Sequence, residues 1–325
     1  MRQIQTPSVN ILIFTYNQES LIKETLDSVI NQSYENITKI VVSDDGSNDG
    51  TPQIIMDYSL KNPLIVPVLA KNNKGIAYNM NRAIKRADGD YISFLDGDDL
   101  MHPHKIEKQV DFLNANPDLV ACASDMDVVE TVTGEVTGKF SELINFKRMK
   151  GSIDIKSIFD PSLLLCPSSI MYRREVIPEE GMDIRLKYWY EFLFIVEVLV
   201  KGDIGYLDKV LGSYRLHEAN VTSSSDFKKF GLENSLIVYS IILARYPVLH
   251  SQVKKRKTIT YLAKIIENIQ DNDNEKAKKL SKALISEGCY IKGSIAYLVS
   301  FVLSGNWAKK LFKNRKFLKI FLKLS

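Results

Sequence analysis

Cysteine is scarce in this chain: Cys122, Cys166 and Cys289 are three among 325 residues. They lie far apart, so neither a disulfide framework nor a paired-cysteine zinc site is encoded, and a reducing compartment is expected. Long hydrophobic runs are also missing. The most apolar stretches, 192–200, 236–244 and 295–303, fall short of the roughly 20 residues a spanning helix requires, so no transmembrane segment is expected. The opening Met1-Arg2-Gln3-Ile4-Gln5-Thr6-Pro7 lacks an apolar secretory core, which makes the cytoplasm the expected location. No repeat or low-complexity tract is present. A Gly-x-Ser-x-Gly elbow is absent, and Ile13-Phe14-Thr15-Tyr16-Asn17 stands where a Gly-rich, basic, phosphate-gripping loop would be. Acyl-enzyme hydrolases and nucleotidyltransferases therefore lack their motifs.

Acidic residues run out near the C-terminus. None follows Glu287, while Lys292, Lys309, Lys310, Lys313, Arg315, Lys316, Lys319 and Lys323 add eight positive charges to a chain whose total is only +4. Trp307, Leu311, Leu318, Phe321 and Leu322 can share one helical face, with Lys309, Lys313, Lys316 and Lys323 mostly elsewhere. Such a segment suits an anionic membrane surface, giving an expected peripheral position at the inner face of the cytoplasmic membrane. The other reading is a helical appendage packed on the rest of the chain or on a second subunit, which leaves a homo-oligomer open. Aromatic-interleaved recognition motifs are missing, and no nucleic-acid partner is expected.

What the chain does have is apolar material for a sizeable core, 45% hydrophobic against 25% charged residues. The apolar run Val9–Phe14 is followed by Leu21, Ile22, Leu26, Val29 and Ile30 at helical spacing. Ile40–Val42 is the next strand, a helix starts at Thr51-Pro52, Ile65–Leu69 is a third strand and Gly75–Ala87 a third helix. Tyr91–Leu95 and a helix over Pro103–Asn114 complete an alternation that predicts an α/β fold: a mainly parallel, Rossmann-like sheet with helices on both faces. Beyond it, strand-like pieces stand at Val128–Val132 and Ser168–Tyr172. A helix follows over Tyr188–Lys201, then strand-like Ile204–Leu207 and Val210–Tyr214. From about Asp226 the pattern becomes helical, so two domains are expected, 1–225 and 226–325, with Ser223–Ser225 as linker.

In open parallel sheets ligands sit at the carboxyl ends of the strands. Three such ends are polar here: Thr15-Tyr16-Asn17, Ser43-Asp44-Asp45-Gly46-Ser47 and Asp96-Gly97-Asp98-Asp99. Carboxylate oxygens suit hard cations shared with phosphates, so Asp96 and Asp98 are candidate ligands. Spacing alone does not single them out, because Asp88/Asp90, Asp125/Asp127 and Asp271/Asp273 repeat it. Position does: Asp96 follows an apolar strand directly, whereas Asp88-Gly89-Asp90 precedes the same strand as a turn. A solvated turn or helix cap is the bland alternative. For Asp44-Asp45, a turn with a helix cap and a carboxylate reading a nucleoside stand side by side. His102 and His104, flanking Pro103, read as helix-entry residues rather than a metal pair.

These motifs, in order, resemble glycosyltransferase family 2 with the GT-A fold over about residues 7–222. The series runs Ser8-Val9 to Asn17, Val41 to Thr51, Asn73-Lys74-Gly75 to Ile84, Gly89 to Asp99, then Tyr214-Arg215-Leu216-His217 with Asn220-Val221-Thr222. The resemblance implies an inverting transferase that moves a sugar from a nucleotide-diphospho-sugar, UDP-sugars favoured, to a hydroxyl of a glycan or lipid-linked acceptor. A role in surface polysaccharide synthesis would follow. Thr15, Tyr16, Asn17, Asp45 and Asn73 would meet the nucleoside side, Asp45 reading the base edge. Asp96 would face the ribose and cation, Asp98 would ligate Mn²⁺ or Mg²⁺ directly, and His217 would stand at the donor diphosphate or metal. The catalytic base maps to Glu191, where most relatives carry Asp after another acid and this chain has Tyr190; Asp183 and Glu197 are the substitutes. Phe14 replaces a common proline, with an expected effect on loop shape. That departure at Tyr190-Glu191 keeps a second reading open, a non-catalytic sugar-nucleotide-binding or scaffold subunit.

Overall fold

The computed structural model describes residues 6–143, 151–217 and 225–302. Asn220-Val221-Thr222, Ser223-Ser224 and the basic tail from Trp307 onward lie outside them. The chain divides into two compact units, 1–228 and 229–325.

The first unit is built on a twisted ten-stranded sheet. Strand β1 (Val9–Thr15) is buried at every position, which is why it reads as one apolar run and not as an alternation. Helix α1 (Ile22–Ile30) turns Ile22, Thr25, Leu26 and Val29 inward. Strand β2 (Ile37–Asp44), helix α2 (Thr51–Lys61) with Pro52 in its first turn, and strand β3 (Ile65–Leu69) follow. Helix α3 (Ile76–Ile84) leads to strand β4 (Tyr91–Asp96). Strands β3, β2, β1 and β4 lie side by side in that order, all parallel.

Chain order therefore runs outward from β1 to β3 and returns to pair β4 on the other side of β1, which creates a topological switch point between the carboxyl ends of β1 and β4. Val9, Ile11 and Ile13 of β1 face one core with α1, Ile55 of α2 and Tyr91 and Leu95 of β4. The alternate residues Leu12 and Phe14 are equally buried on the face where α3 packs on β1 and β2. Phe14 stands edge-on to Phe94, ring centroids 5.3 Å apart, so this residue fills the core instead of shaping a loop.

The rest of the unit extends the sheet. Short β5 (Leu100–Met101) precedes helix α4 (Lys105–Ala115), strand β6 (Ala121–Glu130), strand β7 (Val136–Lys139) and the single turn α5 (Phe140–Leu143). After β8 (Ser152–Ile153) and β9 (Ile170–Arg173) come helix α6 (Tyr190–Leu199) and the long strand β10 (Ile204–Leu216). Strand β9 is antiparallel to both β4 and β6, and β6 pairs parallel with β10. The two pieces expected at Ile204–Leu207 and Val210–Tyr214 are one strand, interrupted by register shifts between Leu207 and Val210 and between Val210 and Ser213. The piece expected at Val128–Val132 is the end of a strand that begins at Ala121 and closes at Glu130. Helix α4 starts at Lys105, after Pro103, with His104 as its cap residue.

The second unit is helical: α7 (Ser225–Arg245), whose first four residues belong to the first unit, then α8 (His250–Gln270), α9 (Asn274–Ser286) and α10 (Tyr290–Val302). Tyr261, Leu262, Ile265 and Ile269 of α8 bury against Ala277 and Leu284 of α9 and Ala296 of α10. Asp273 caps α9 by accepting the Lys276 N–H at 3.2 Å. No helix among the described residues is long and apolar enough to cross a membrane.

Candidate functional site

Three strand ends meet at the switch point. At the end of β1 the chain must turn sharply, and Asn17 does so in a left-handed conformation (φ 51°) that asparagine tolerates. Its N–H donates to Ser47 Oγ at 2.7 Å and its Oδ1 accepts the Asn48 N–H at 2.9 Å, so the loops after β1 and β2 are stitched together. Thr15 is buried with its hydroxyl on Gln18 Oε1 (2.7 Å), whereas the Tyr16 ring is 41% exposed.

The loop after β2 is organised by its two carboxylates. Asp44 Oδ2 accepts the Gly46 and Ser47 N–H groups at 3.1 and 3.0 Å, and Ser47 Oγ donates to Asp44 Oδ1. Asp45 is 2% exposed, and its two oxygens accept the N–H groups of Lys74 (3.1 Å) and Gly75 (2.7 Å). Burial pushes Asp45 above the usual carboxylate range, opposed by these two bonds and the Arg82 charge. Asn73 is exposed, its Oδ1 accepting the Gly75 N–H at 3.2 Å. Gly46 (φ 76°) permits the approach of this second loop, since a Cβ there would lie 2.6–2.8 Å from the backbone of Asn72 and Asn73.

The third end, after β4, carries the acidic cluster. Carboxylate oxygens of Asp96, Asp98 and Asp99 lie within 4.8 Å of one another. Burial, then the charges of Asp99, Asp98 and Glu191, pushes Asp96 well above the usual carboxylate range; burial and Asp98 push Asp99 up to about 8. The loop is held tightly: the Asp96 N–H donates to Ser168 Oγ (3.0 Å), and the Gly97 N–H donates to Phe14 O (2.8 Å). A Cβ on Gly97 would sit 2.8 Å from Thr15 Cβ and 3.0 Å from Phe14 O, so glycine is required between the two strand ends. Asp99, unassigned by the sequence reading, accepts the Arg215 N–H on Oδ1 at 3.1 Å, while its buried Oδ2 has no hydrogen-bond partner.

A carboxylate oxygen buried without a donor, beside two further carboxylates, is an unbalanced arrangement that a divalent cation would correct. The all-oxygen donor set suits Mg²⁺ or Mn²⁺. His217, just past β10, reaches the same corner, its Nε2 2.9 Å from Asp98 Oδ2.

Of the other Asp pairs, Asp88 is bridged to Lys39 and Asp90 accepts the Ser8 N–H and hydroxyl. Asp125 binds Ser141, and Asp273 is the α9 cap. His102 lies on Ser213 Oγ (3.1 Å) and His104 on Ser33 Oγ (2.9 Å) at the entry to α4, away from one another's partners.

Glu191 opens α6, a helix whose residues from Leu193 to Leu199 are all buried, so it is no amphipathic surface helix. Trp189 enters it in a left-handed conformation (φ 65°), and its ring stands edge-on to Phe192 at 5.9 Å. On the same helix Phe194 packs at 5.7 Å on Phe94, which ties α6 to β4. Burial pushes Glu191 up to about 7, with a weak opposing bond from the Tyr190 hydroxyl to its Oε1 at 3.5 Å. Tyr190 thus supplies a neutral donor where an acid would have added repulsion. Of the two substitutes, Asp183 is engaged by Arg185 at 2.5 and 2.8 Å, and Glu197 is buried within α6.

The family profile described as glycosyl transferase family 2 matches residues 10–181, more than half of the chain. The chain belongs to glycosyl transferase family 2. Its first unit is a glycosyltransferase domain of GT-A fold. A glycosyltransferase of Methanocaldococcus jannaschii, itself uncharacterized, is 26% identical over 300 residues, covering 85% of this chain and 98% of that protein. Uncharacterized proteins of Mycobacterium tuberculosis and Mycobacterium bovis are 30% identical over 230 residues, 68% of this chain, which spans only 63% of their length. Among solved structures, Staphylococcus aureus TarS (residues 1–349) in complex with UDP-GlcNAc has a TM-score of 0.63 at 19% identity, covering 90% of this chain and 89% of that one. The mannosyltransferase PcManGT of Pyrobaculum calidifontis, in complex with GDP-Man and Mn²⁺, has a TM-score of 0.59 at 16% identity, covering 98% and 86%. At these identities the structural likeness speaks for the fold.

Proposed function

We propose that this family 2 member transfers a sugar, with inversion, from a nucleotide-diphospho-sugar to a hydroxyl of a glycan or lipid-linked acceptor. The observation that carries the reading is the gathering of Asp96, Asp98 and Asp99 at the switch point, beside the joined loops of Tyr16 and Asp45 and with Glu191 close enough to act electrostatically on Asp96. A uridine donor is favoured, in keeping with the TarS complex.

Asp98 and Asp96 would hold Mn²⁺ or Mg²⁺, with His217 beside Asp98. When bound, such an ion supplies Lewis-acid stabilisation of the charge that builds on the leaving diphosphate. The exposed Tyr16 ring offers a face for the base, and Asp45 fixes the Lys74-Gly75 turn that closes the nucleoside loop, its remaining lone pairs available to a base N–H. Glu191 takes the proton from the acceptor hydroxyl as that oxygen attacks the anomeric carbon. The bond from that carbon to the diphosphate oxygen breaks, and the electron pair leaves with the nucleoside diphosphate. A single displacement of this kind inverts the configuration. The basic tail would hold the enzyme at an anionic membrane surface, where a lipid-linked acceptor resides.

The test is a thermal-shift series of nucleoside diphosphates with and without Mn²⁺, on the native chain and on Asp98→Asn. A ligand that binds only the folded state raises stability by about 2.7 kcal/mol at a hundred times its Kd. UDP with Mn²⁺ should stabilise the native chain, and the variant should lose the Mn²⁺-dependent part. Equal shifts with EDTA and with Mn²⁺ would refute the cation site.

A further inference from the structure

Arg215 belongs to the Arg215-Leu216-His217 motif, which the resemblance sets at the donor diphosphate or metal. Its guanidinium points elsewhere. The side chain is only 3% exposed. Nη1 donates to Glu24 Oε2 at 2.7 Å, and Nη2 donates to Leu21 O at 3.1 Å and to Thr25 Oγ1 at 2.8 Å, all on or just before α1. Nε donates to the carbonyl oxygen of Asp98, and the Arg215 backbone N–H donates to Asp99 Oδ1 at 3.1 Å.

Thr25 continues the network. Its hydroxyl accepts from Arg215 and donates to Gly97 O at 2.8 Å. Two successive carbonyls of the acidic loop, those of Gly97 and Asp98, are therefore held by a single fork with one hydroxyl relay, while the Arg215 main chain holds one carboxylate oxygen of Asp99. A rigid planar guanidinium can serve this many divergent acceptors; the flexible point charge of a lysine cannot.

We propose that Arg215 is a positioning residue for the cation site and not a donor-binding one: through Thr25 and the Asp98 carbonyl it sets the direction in which the Asp98 and Asp99 carboxylates face. The neighbouring His217 is then the member of the motif that meets the ligand. This inference rests on the reading of the acidic cluster as a cation site. Three carboxylates crowded together repel one another, so without a fixed backbone they splay. Partners behind metal ligands typically carry a factor of about 10–100 in metal affinity.

The test uses the full chain and two variants, Arg215→Lys and the near-isosteric Thr25→Val, each checked for folding by thermal melting. Mn²⁺ affinity is read by titration of the free-ion electron paramagnetic resonance signal, and UDP affinity is read separately in EDTA by calorimetry. Expected is a rise in the Mn²⁺ Kd of about tenfold or more for Arg215→Lys and a smaller rise for Thr25→Val. UDP affinity in EDTA should stay within about twofold, because no nucleoside contact has been touched. Mn²⁺ affinity within about twofold of the native value in folded variants overturns the positioning role, and so does a parallel loss of Mn²⁺ and UDP binding. Should Arg215→Lys fail to fold, Thr25→Val decides alone. A native chain that binds no Mn²⁺ brings down the cation-site reading itself, and the positioning role with it.

Discussion

Replacing Glu191 by Gln separates chemistry from stability, because the same burial that suits a general base makes the folded protein pay for its charge. Burial raises the Glu191 carboxyl from 4.5 to about 7. Between these values the folded state holds a proton that the unfolded chain has released, so this group's contribution to stability is lost as pH rises from 4.5 to 7. At 1.36 kcal/mol per pKa unit the cost above pH 7 is about 3 kcal/mol. The neutral isostere carries no such cost. Glu191→Gln should match the native protein near pH 4 and exceed it by about 3 kcal/mol at pH 8, read as a difference between urea-unfolding curves. Activity moves the other way. Loss of a general base lowers turnover by roughly 10²–10⁴. In the native enzyme kcat/KM, which reports the free protein, should fall about tenfold from pH 8 to pH 6 as Glu191 takes up its proton. A variant that is both more stable at pH 8 and nearly inactive bears out the assignment. Turnover within a few-fold of native refutes Glu191 as the base, and a variant less stable at pH 8 refutes the account of its burial.

Two further substitutions probe the frame behind the site. In Gly97→Ala the new methyl group meets Thr15 Cβ and the Phe14 carbonyl, neither of which can swing away. A loss of about 1–3 kcal/mol, with weakened Mn²⁺-dependent donor binding, is expected; unchanged melting and donor affinity would show that the strand ends are looser than described. Lys105 is fully buried, its Nζ donating to Gln109 Oε1 (2.7 Å) and Ser93 Oγ (3.2 Å), and burial pushes it down to about 8. The unfolded chain keeps that proton up to about pH 10.5, so the Lys105 penalty fades as pH rises from 8 to 10.5. Native stability relative to Lys105→Met should therefore climb by about 2 kcal/mol between pH 7.5 and 10, and a flat difference would contradict a charged buried lysine.

The parallel half of the sheet was legible because β1 and β4 are buried almost throughout and the edge strand β3 is an unbroken apolar run. Val9–Phe14, Ile65–Leu69 and Tyr91–Leu95 are mainly apolar, broken only by Asn10 and Ser93, and each was placed within a residue of its observed span, whereas Ile40–Val42 caught only the middle of β2. Strand β6 was not, for its first residues Ala121-Cys122-Ala123-Ser124-Asp125 are small or polar and carry no β-branched signal. They are nonetheless buried, packed between β9 and β10. In β10, Asp208 and Lys209 at the register shift masked the continuity of a thirteen-residue strand. Local pattern cannot express a register shift, which is a property of two paired strands.

The site divides along the same line. Asp96 and Asp98 stood out because a strand end is a local feature, and their position after β4 distinguished them from three look-alike pairs. Asp99 shares that strand end and Arg215 stands in the Arg215-Leu216-His217 motif, but nothing local shows what either one touches. Their contacts depend on β10 pairing with β5, 116 residues later in the chain for the bond from the Arg215 N–H to Asp99, and on α1 presenting Glu24 and Thr25, with the Leu21 carbonyl just before it, to the same guanidinium. Nor does Tyr190 announce itself as a neutral donor; only the depth of α6 explains why an acid there would have been costly beside Glu191 and Asp96. Candidate ligand groups at strand ends, such as Asp96 and Asp98, can be read off one segment at a time. Groups that hold those ends from behind, such as Arg215, are fixed by which segments the fold brings together, and so they surface only when the packing is known.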